Sequence, residues 1–167
     1  KDMAKELVQA IKDQYGPMTV KSYDHMAENF FWSYRDCLNA VAMEVVYARR
    51  EDINKPLILE DICDLGIGTG NLSYLVLDKY LRSWREEGAR EPQNINVFAA
   101  DLSKEMMTAA EKKLCQLKRV TATFKVLDLK SGLKGVMDDH FDCVLSGFAI
   151  HHLNELEKSQ LFKEVYR

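Results

Sequence analysis

Apolar positions along this chain keep changing their spacing, and each change marks an element. Met3, Leu7, Val8 and Ile11 recur at helical spacing over Lys1 to Asp13, until Gly16 and Pro17 interrupt the pattern. Tyr23 to Tyr34 is rich in aromatics (Tyr23, Phe30, Phe31, Trp32, Tyr34) and predicts an amphipathic helix. Arg35 to Arg50 carries Leu38, Val41, Ala42 and Val45 on one face, a further packed helix. Glu51 to Pro56 is polar and ends in proline, which reads as a linker. Short apolar runs then alternate with helical periods. Ile58 to Leu65 predicts a strand, and Leu72 to Trp84 a helix with Leu77, Tyr80, Leu81 and Trp84 on one side. Arg85 to Gln93 is charged, contains Gly88 and Pro92, and reads as a surface loop. Asn94 to Ala100 predicts a second strand. Ser103 then caps a helix that turns Met106, Met107, Ala110, Leu114 and Leu117 inward. Thr121 to Leu127 and Phe141 to Ser146 predict two more strands. Asn154 opens a last helix with Glu157 as capping-box partner, burying Leu156, Leu161, Phe162 and Val165.

The first strand runs straight into a glycine turn, Gly66, Gly68 and Gly70, and the turn runs straight into a helix. Strand, glycine turn and helix bring backbone N–H groups and a helix N-terminus up to a bound small molecule. The spacing is not that of a dinucleotide site, which wants G-x-G-x-x-G; Asn71 stands where the third glycine would be.

Composition narrows the class. With 167 residues and 47% apolar residues, the chain has the material for one ordinary domain with a core. The net charge of −3 gives no global reason to expect nucleic-acid binding. No apolar run reaches membrane-spanning length, and the first ten residues hold no signal-peptide core. Cys37, Cys63, Cys115 and Cys143 are widely spaced with no CxxC pair, so neither a zinc site nor a redox pair is suggested. Buried, reduced cysteines in a cytoplasmic protein fit that spacing.

Four segments in order, DLGIGTGN, AADLSKEMM, VLDL and FDCVLSGFAIHHL, resemble the class I S-adenosylmethionine-dependent methyltransferases. The resemblance covers about two thirds of the chain, from Asp61 to Arg167, and is loose over the first 56 residues. It implies a Rossmann-like, doubly wound, mainly parallel α/β sheet over residues 57–167. Residues 1–56 would form a helical cap or lid. Asp64, Gly66, Gly68, Gly70 and Asn71 would fill the first cofactor motif. Asp101, at the tip of the second strand, would accept hydrogen bonds from both ribose hydroxyls. Leu102 and Met106 belong to the second motif, with the methionine packing near the adenine. Asp128 would bond the adenine amino group and the backbone N–H of Leu129 would meet the ring; Asp128 reads equally as a turn residue before Ser131-Gly132. Ser146, at the carboxyl end of the fourth strand, would lie near the methionine end. Tyr23, beside Asp24, would cover the cleft. The family's sheet has the order 3-2-1-4-5-7-6. Only strands 3-2-1-4 can be supplied here, which leaves strand four as an edge. Either the sequence is a fragment of a longer protein, or a homodimer contact or partner chain covers that edge.

Methyl transfer from a sulfonium needs alignment and exclusion of water, and a base only where the acceptor must lose a proton. His151 is the catalytic candidate, being first after the strand, with His152 beside it; a histidine that merely packs in the loop reads as well. The implied cofactor is S-adenosylmethionine, leaving as S-adenosylhomocysteine, and the aromatic N-terminal segment favours a small-molecule acceptor. A non-catalytic cofactor-binding subunit, or a tRNA-modifying or cofactor-carboxylating relative, would use the same fold.

Overall fold

The computed structural model describes residues 17–30, 33–47, 58–86 and 94–166. The helix expected over Lys1 to Asp13, the Glu51 to Pro56 linker and most of the Arg85 to Gln93 loop lie outside the described residues. Four strands build one sheet: β1 (Asp61–Leu65), β2 (Ile95–Asp101), β3 (Val120–Val126) and β4 (Cys143–Leu145), in the order β3-β2-β1-β4. Every pairing is parallel, with Asp64 opposite Ala99 on one side and Leu145 on the other. This is the Rossmann-like α/β arrangement that the resemblance implied.

The helices are α1 (Pro17–Phe30), α2 (Tyr34–Tyr47), α3 (Asn71–Glu86), α4 (Lys104–Leu114) and α5 (Glu155–Val165). Pro17 stands at the first position of α1, where its missing N–H costs nothing. The aromatic stretch is not one helix. α1 ends at Phe30 and α2 begins at Tyr34, with Ser33 between them at φ 76°. Tyr34, Leu38, Ala42 and Val46 form the buried stripe of α2, whereas Val41 is exposed. That stripe joins Val76, Leu77, Tyr80 and Leu81 of α3 and Ile62, Val97 and Ala99 of the sheet in the main core.

β1 and β4 are shorter than their apolar runs; at the start of β1 side chains take over the backbone donors. Tyr80 Oη accepts from Leu59 N at 2.8 Å. Asp142 Oδ2 accepts from Glu60 N and Asp61 N at 2.8 and 2.9 Å. Both helix caps appear as expected. Ser103 accepts from Met106 N, and Asn154 and Glu157 form a full capping box. The buried side of α5 is narrower than expected: Leu161 is buried, while Leu156 and Phe162 are exposed. No disulfide joins the cysteines: Cys63 is buried, Cys143 is partly buried, and Cys37 and Cys115 are exposed, so fewer than the expected three are buried.

Candidate functional site

The carboxyl ends of β1, β2 and β4 open into one cleft, as an open parallel sheet requires. Its floor is the glycine bend. The backbone N–H groups of Gly66 and Ile67 donate to Ala100 O at 2.7 and 3.0 Å, which ties the bend to the end of β2. A Cβ on Gly66 would lie 2.2 Å from the Ala149 Cβ, so only glycine lets the loop after β4 pass. Gly68 has nothing within 4 Å on its open side. Gly70, also expected in the cofactor motif, has φ 79°. It faces Ala110 of α4, 3.0 Å from a notional Cβ, and serves helix packing; it is not part of the cleft wall.

Two carboxylates stand at the bend. Asp101 Oδ2 accepts from Gly68 N and Oδ1 from Ser103 N, each at 2.8 Å. The side chain therefore points at the bend, and a carboxylate oxygen can accept more than one hydrogen bond. Burial raises the Asp101 carboxyl above its ordinary value of 3.8, opposed by its bonds from the Ser103, Gly68 and Leu102 backbone. Asp64, at the end of β1, is 1% exposed. Its Oδ2 accepts from the Ser73 hydroxyl at 2.6 Å, and its buried Oδ1 has no partner. Burial pushes the Asp64 carboxyl up to about 7.

The remaining wall comes from four elements. Tyr23 of α1 and Tyr34 of α2 lie on one side, and Leu102 and Met106 on another. Asp128 and Leu129 line it as well, although Asp128 Oδ1 also accepts from Lys130 N at 3.0 Å and so caps the 3-10 turn Leu129–Ser131. The turn reading of Asp128 holds, and the residue lines the cleft as well. Ser146 is next to the cleft but outside its wall, and its hydroxyl donates to Leu65 O at 2.7 Å, bracing the ends of β4 and β1.

The histidine in the wall is His152, not His151. The two sit in a 3-10 turn, Ile150–His152, with ring centroids 3.9 Å apart, and His151 is the exposed member. Order along the chain suggested the first of the pair; the tight turn aims the second inward. Burial, followed by the charges of His151 and Lys130, holds His152 below its ordinary value of 6.5, so it is neutral at physiological pH.

Other wall residues gave no clear sequence signal. Phe148 has φ 57°, rare for an aromatic, and its ring lies 5.3 Å from that of Tyr34. Thr69 donates to Asp24 Oδ1 at 2.5 Å, which brings α1 down on the bend. Asn71, expected in the cofactor motif, lines the cleft and donates to Asp24 at 2.8 Å and to Tyr34 Oη at 3.2 Å.

The family model described as "Methyltransferase domain" matches residues 62–167, well over half of the chain. The chain belongs to this family, the S-adenosylmethionine-dependent methyltransferases. A comparison with curated proteins gave no match. Among solved structures it is similar to DhpI in complex with S-adenosylhomocysteine, at 21% identity and TM-score 0.58, over 95% of this chain and 62% of that one. It is similar also to magnesium protoporphyrin IX methyltransferase (ChlM) from Synechocystis PCC 6803 with bound S-adenosylmethionine, at 18% identity and TM-score 0.59. There it covers 95% of this chain and 69% of ChlM. Haemonchus contortus phosphoethanolamine N-methyltransferase 1 is similar at 12% identity and TM-score 0.51, over 90% of this chain and 29% of that one. These likenesses show the fold. The methyltransferase domain here thus spans less than two thirds of the length of DhpI. Its cleft fits the family's cofactor on its own terms. The buried Asp64 Oδ1 lacks a partner, Asp101 is aimed at the bend, and Gly68 leaves open space beside it. Among the described residues no helix is long and apolar enough to cross a membrane.

Proposed function

We propose that this methyltransferase transfers a methyl group to a small-molecule acceptor within the cleft. One observation supports the reading: Tyr23 of α1 and Tyr34 of α2 line the same cleft as Asp101 and the glycine bend. A mostly apolar cleft with aromatic side chains in its wall suits a small acceptor.

Bound S-adenosylmethionine supplies a methyl group on a cationic sulfur, already activated for in-line attack. The chain's own residues bind, orient and exclude water. Asp101 offers both carboxylate oxygens to vicinal hydroxyls. Asp64 offers a buried acceptor to a cationic group, and gaining such a partner favours its charged form. Met106 and Leu129 give apolar contact to a flat ring, with Asp128 at its edge. Tyr23, Tyr34 and Phe148 keep water from the open side. His152, neutral at physiological pH, is the group in the wall that can take a proton onto a ring nitrogen if the acceptor must lose one.

The test is a methyl-release assay on the intact protein with radiolabelled S-adenosylmethionine. The acceptors are phosphoethanolamine and magnesium protoporphyrin IX, which the names of similar proteins suggest, a wider small-molecule set, and bulk tRNA. Transfer to a small molecule supports the proposal. Transfer to tRNA alone, or cofactor binding with no transfer to any of them, contradicts it.

A further inference from the structure

Helix α1, which contributes Tyr23 to the cleft wall, is fastened by a polar cluster that the binding roles above do not use. Asp24 lies in the middle of α1 and Lys113 near the end of α4, and neither is part of the cleft wall. Asp24 Oδ1 accepts from Thr69 Oγ1 at 2.5 Å and from Asn71 Nδ2 at 2.8 Å. Its Oδ2 accepts from Lys113 Nζ at 3.0 Å. The same ammonium donates to Asn71 Oδ1, and Asn71 Nδ2 reaches Tyr34 Oη. One carboxylate and one ammonium thus join α1, α2, α4 and the glycine bend.

Among the described side chains of α1, Ala27 is fully buried and Tyr23 is partly buried against the core. Hydrogen bonds to a charged group at a partly shielded site are stronger than those between neutral groups. The Asp24 cluster therefore adds a directional fastening to α1, and with it to Tyr23 in the cleft wall.

We propose that Lys113 is a positioning residue for cofactor binding: by bridging Asp24 and Asn71 it clamps α1 onto the glycine bend and slows escape of the bound molecule. This rests on the cofactor-cleft reading given above. Lys113 is not itself in the cleft wall and acts through Asn71, which is, and through α1. The side chain is 24% exposed and that of Asp24 41%, so the pair is partly shielded from solvent, in contrast to the open pair of Arg35 and Glu28 at 73% and 38%.

The experiment uses the intact protein with S-adenosylhomocysteine as the probe, in stopped-flow and calorimetry, on wild type, Lys113→Met, Lys113→Arg, Asp24→Asn and the double variant Asp24→Asn/Lys113→Met. Lys113→Met is expected to weaken binding about tenfold, mainly through faster dissociation. Lys113→Arg is expected to stay within about threefold of wild type, because it restores the donor. The double variant is expected to lose no more than about twofold beyond the worse single one, since both changes open one clamp. Hydrogen exchange without the probe supplies a second readout: amides of α1 exchange faster in Lys113→Met while those of β1 and β2 do not change. Wild-type affinity in Lys113→Met, single losses that multiply in the double variant, or equal acceleration of exchange through the sheet each overturn the proposal. Failure of the wild type itself to bind the probe sinks the cofactor-cleft reading as well, which separates the two failures.

Discussion

Asp64 holds a carboxyl where the fold would be more stable with a neutral group. Its neighbours in β1, Cys63 and Leu65, are buried, and the strand is flanked by β2 and β4. The Ser73 hydroxyl satisfies one oxygen and nothing satisfies the other. Burial raises the carboxyl from 3.8 to about 7. The folded state then binds the proton more tightly than the unfolded chain. Stability contributed by this group is full below about pH 4, falls as the pH rises toward 7, and is level above that. At about 1.4 kcal/mol for each tenfold change in proton affinity, the charged form costs the fold about 4 kcal/mol at high pH. Integrated from pH 5 to pH 8, wild type loses about 3 kcal/mol through Asp64. Asp64→Asn keeps the shape and the acceptor for Ser73 but does not titrate. The check is urea unfolding of both proteins at several pH values from 5 to 8. The stability of Asp64→Asn relative to wild type is expected to rise by about 3 kcal/mol across that range. Groups common to both proteins, such as the low-lying Asp24 carboxyl, largely cancel in the difference. A difference that does not change with pH refutes the reasoning, because it would mean that Asp64 titrates alike in the folded and unfolded chains.

Three further outcomes follow from the site. Asp101→Ala removes the carboxylate aimed at the bend and is expected to weaken S-adenosylhomocysteine by about tenfold or more in calorimetry, in keeping with about 1.5–3 kcal/mol for bonds to a charged group; an unchanged affinity removes Asp101 from the site. Gly66→Ala forces a methyl against Ala149 at a φ of 79° and is expected to lower stability by about 1–3 kcal/mol in urea unfolding, with loss of cofactor affinity; a fully stable variant would show that the loop after β4 moves aside freely. His152→Gln is expected to leave S-adenosylhomocysteine affinity within about threefold and to slow transfer to a hydroxyl or protonated amine acceptor about a hundredfold. In wild type that rate falls as the pH drops through the lowered His152 value, and the variant lacks this limb. A rate equal to wild type assigns proton removal to another group.

The strands and the glycine bend were legible because each depends on neighbours in sequence: a short apolar run, a turn, a helical period; the strand order came from the family resemblance. Asp101 was legible for the same reason, as the residue that ends β2. What escaped depends on distant pieces meeting. Asp24 reaches Thr69, Asn71 and Lys113 across sequence separations of 45, 47 and 89 residues, and no local pattern marks such a cluster. The choice between His151 and His152 turned on a 3-10 turn, and nothing in the two histidines' own sequence tells which ring faces the cleft. Gly70, placed by the glycine motif, packs on Ala110, and Ser146, placed by the end of the fourth strand, braces strand ends; both stand outside the cleft wall. α5 shows the limit of periodicity. Leu156, Leu161 and Phe162 all lie in one helical run, but adjacent residues such as Leu161 and Phe162 face different sides of a helix, and only Leu161 is buried.

The account's central claim is that the glycine bend and the carboxylates of Asp64 and Asp101 together hold an adenosyl sulfonium compound. A crystal structure of the protein grown with S-adenosylhomocysteine tests this most directly. The predicted result is the ribose hydroxyls on Asp101, the adenine between Met106 and Leu129, and the amino-acid end against the bend beside Asp64. Density for the ligand at another place, or an Asp101 carboxylate turned away from it, contradicts the claim.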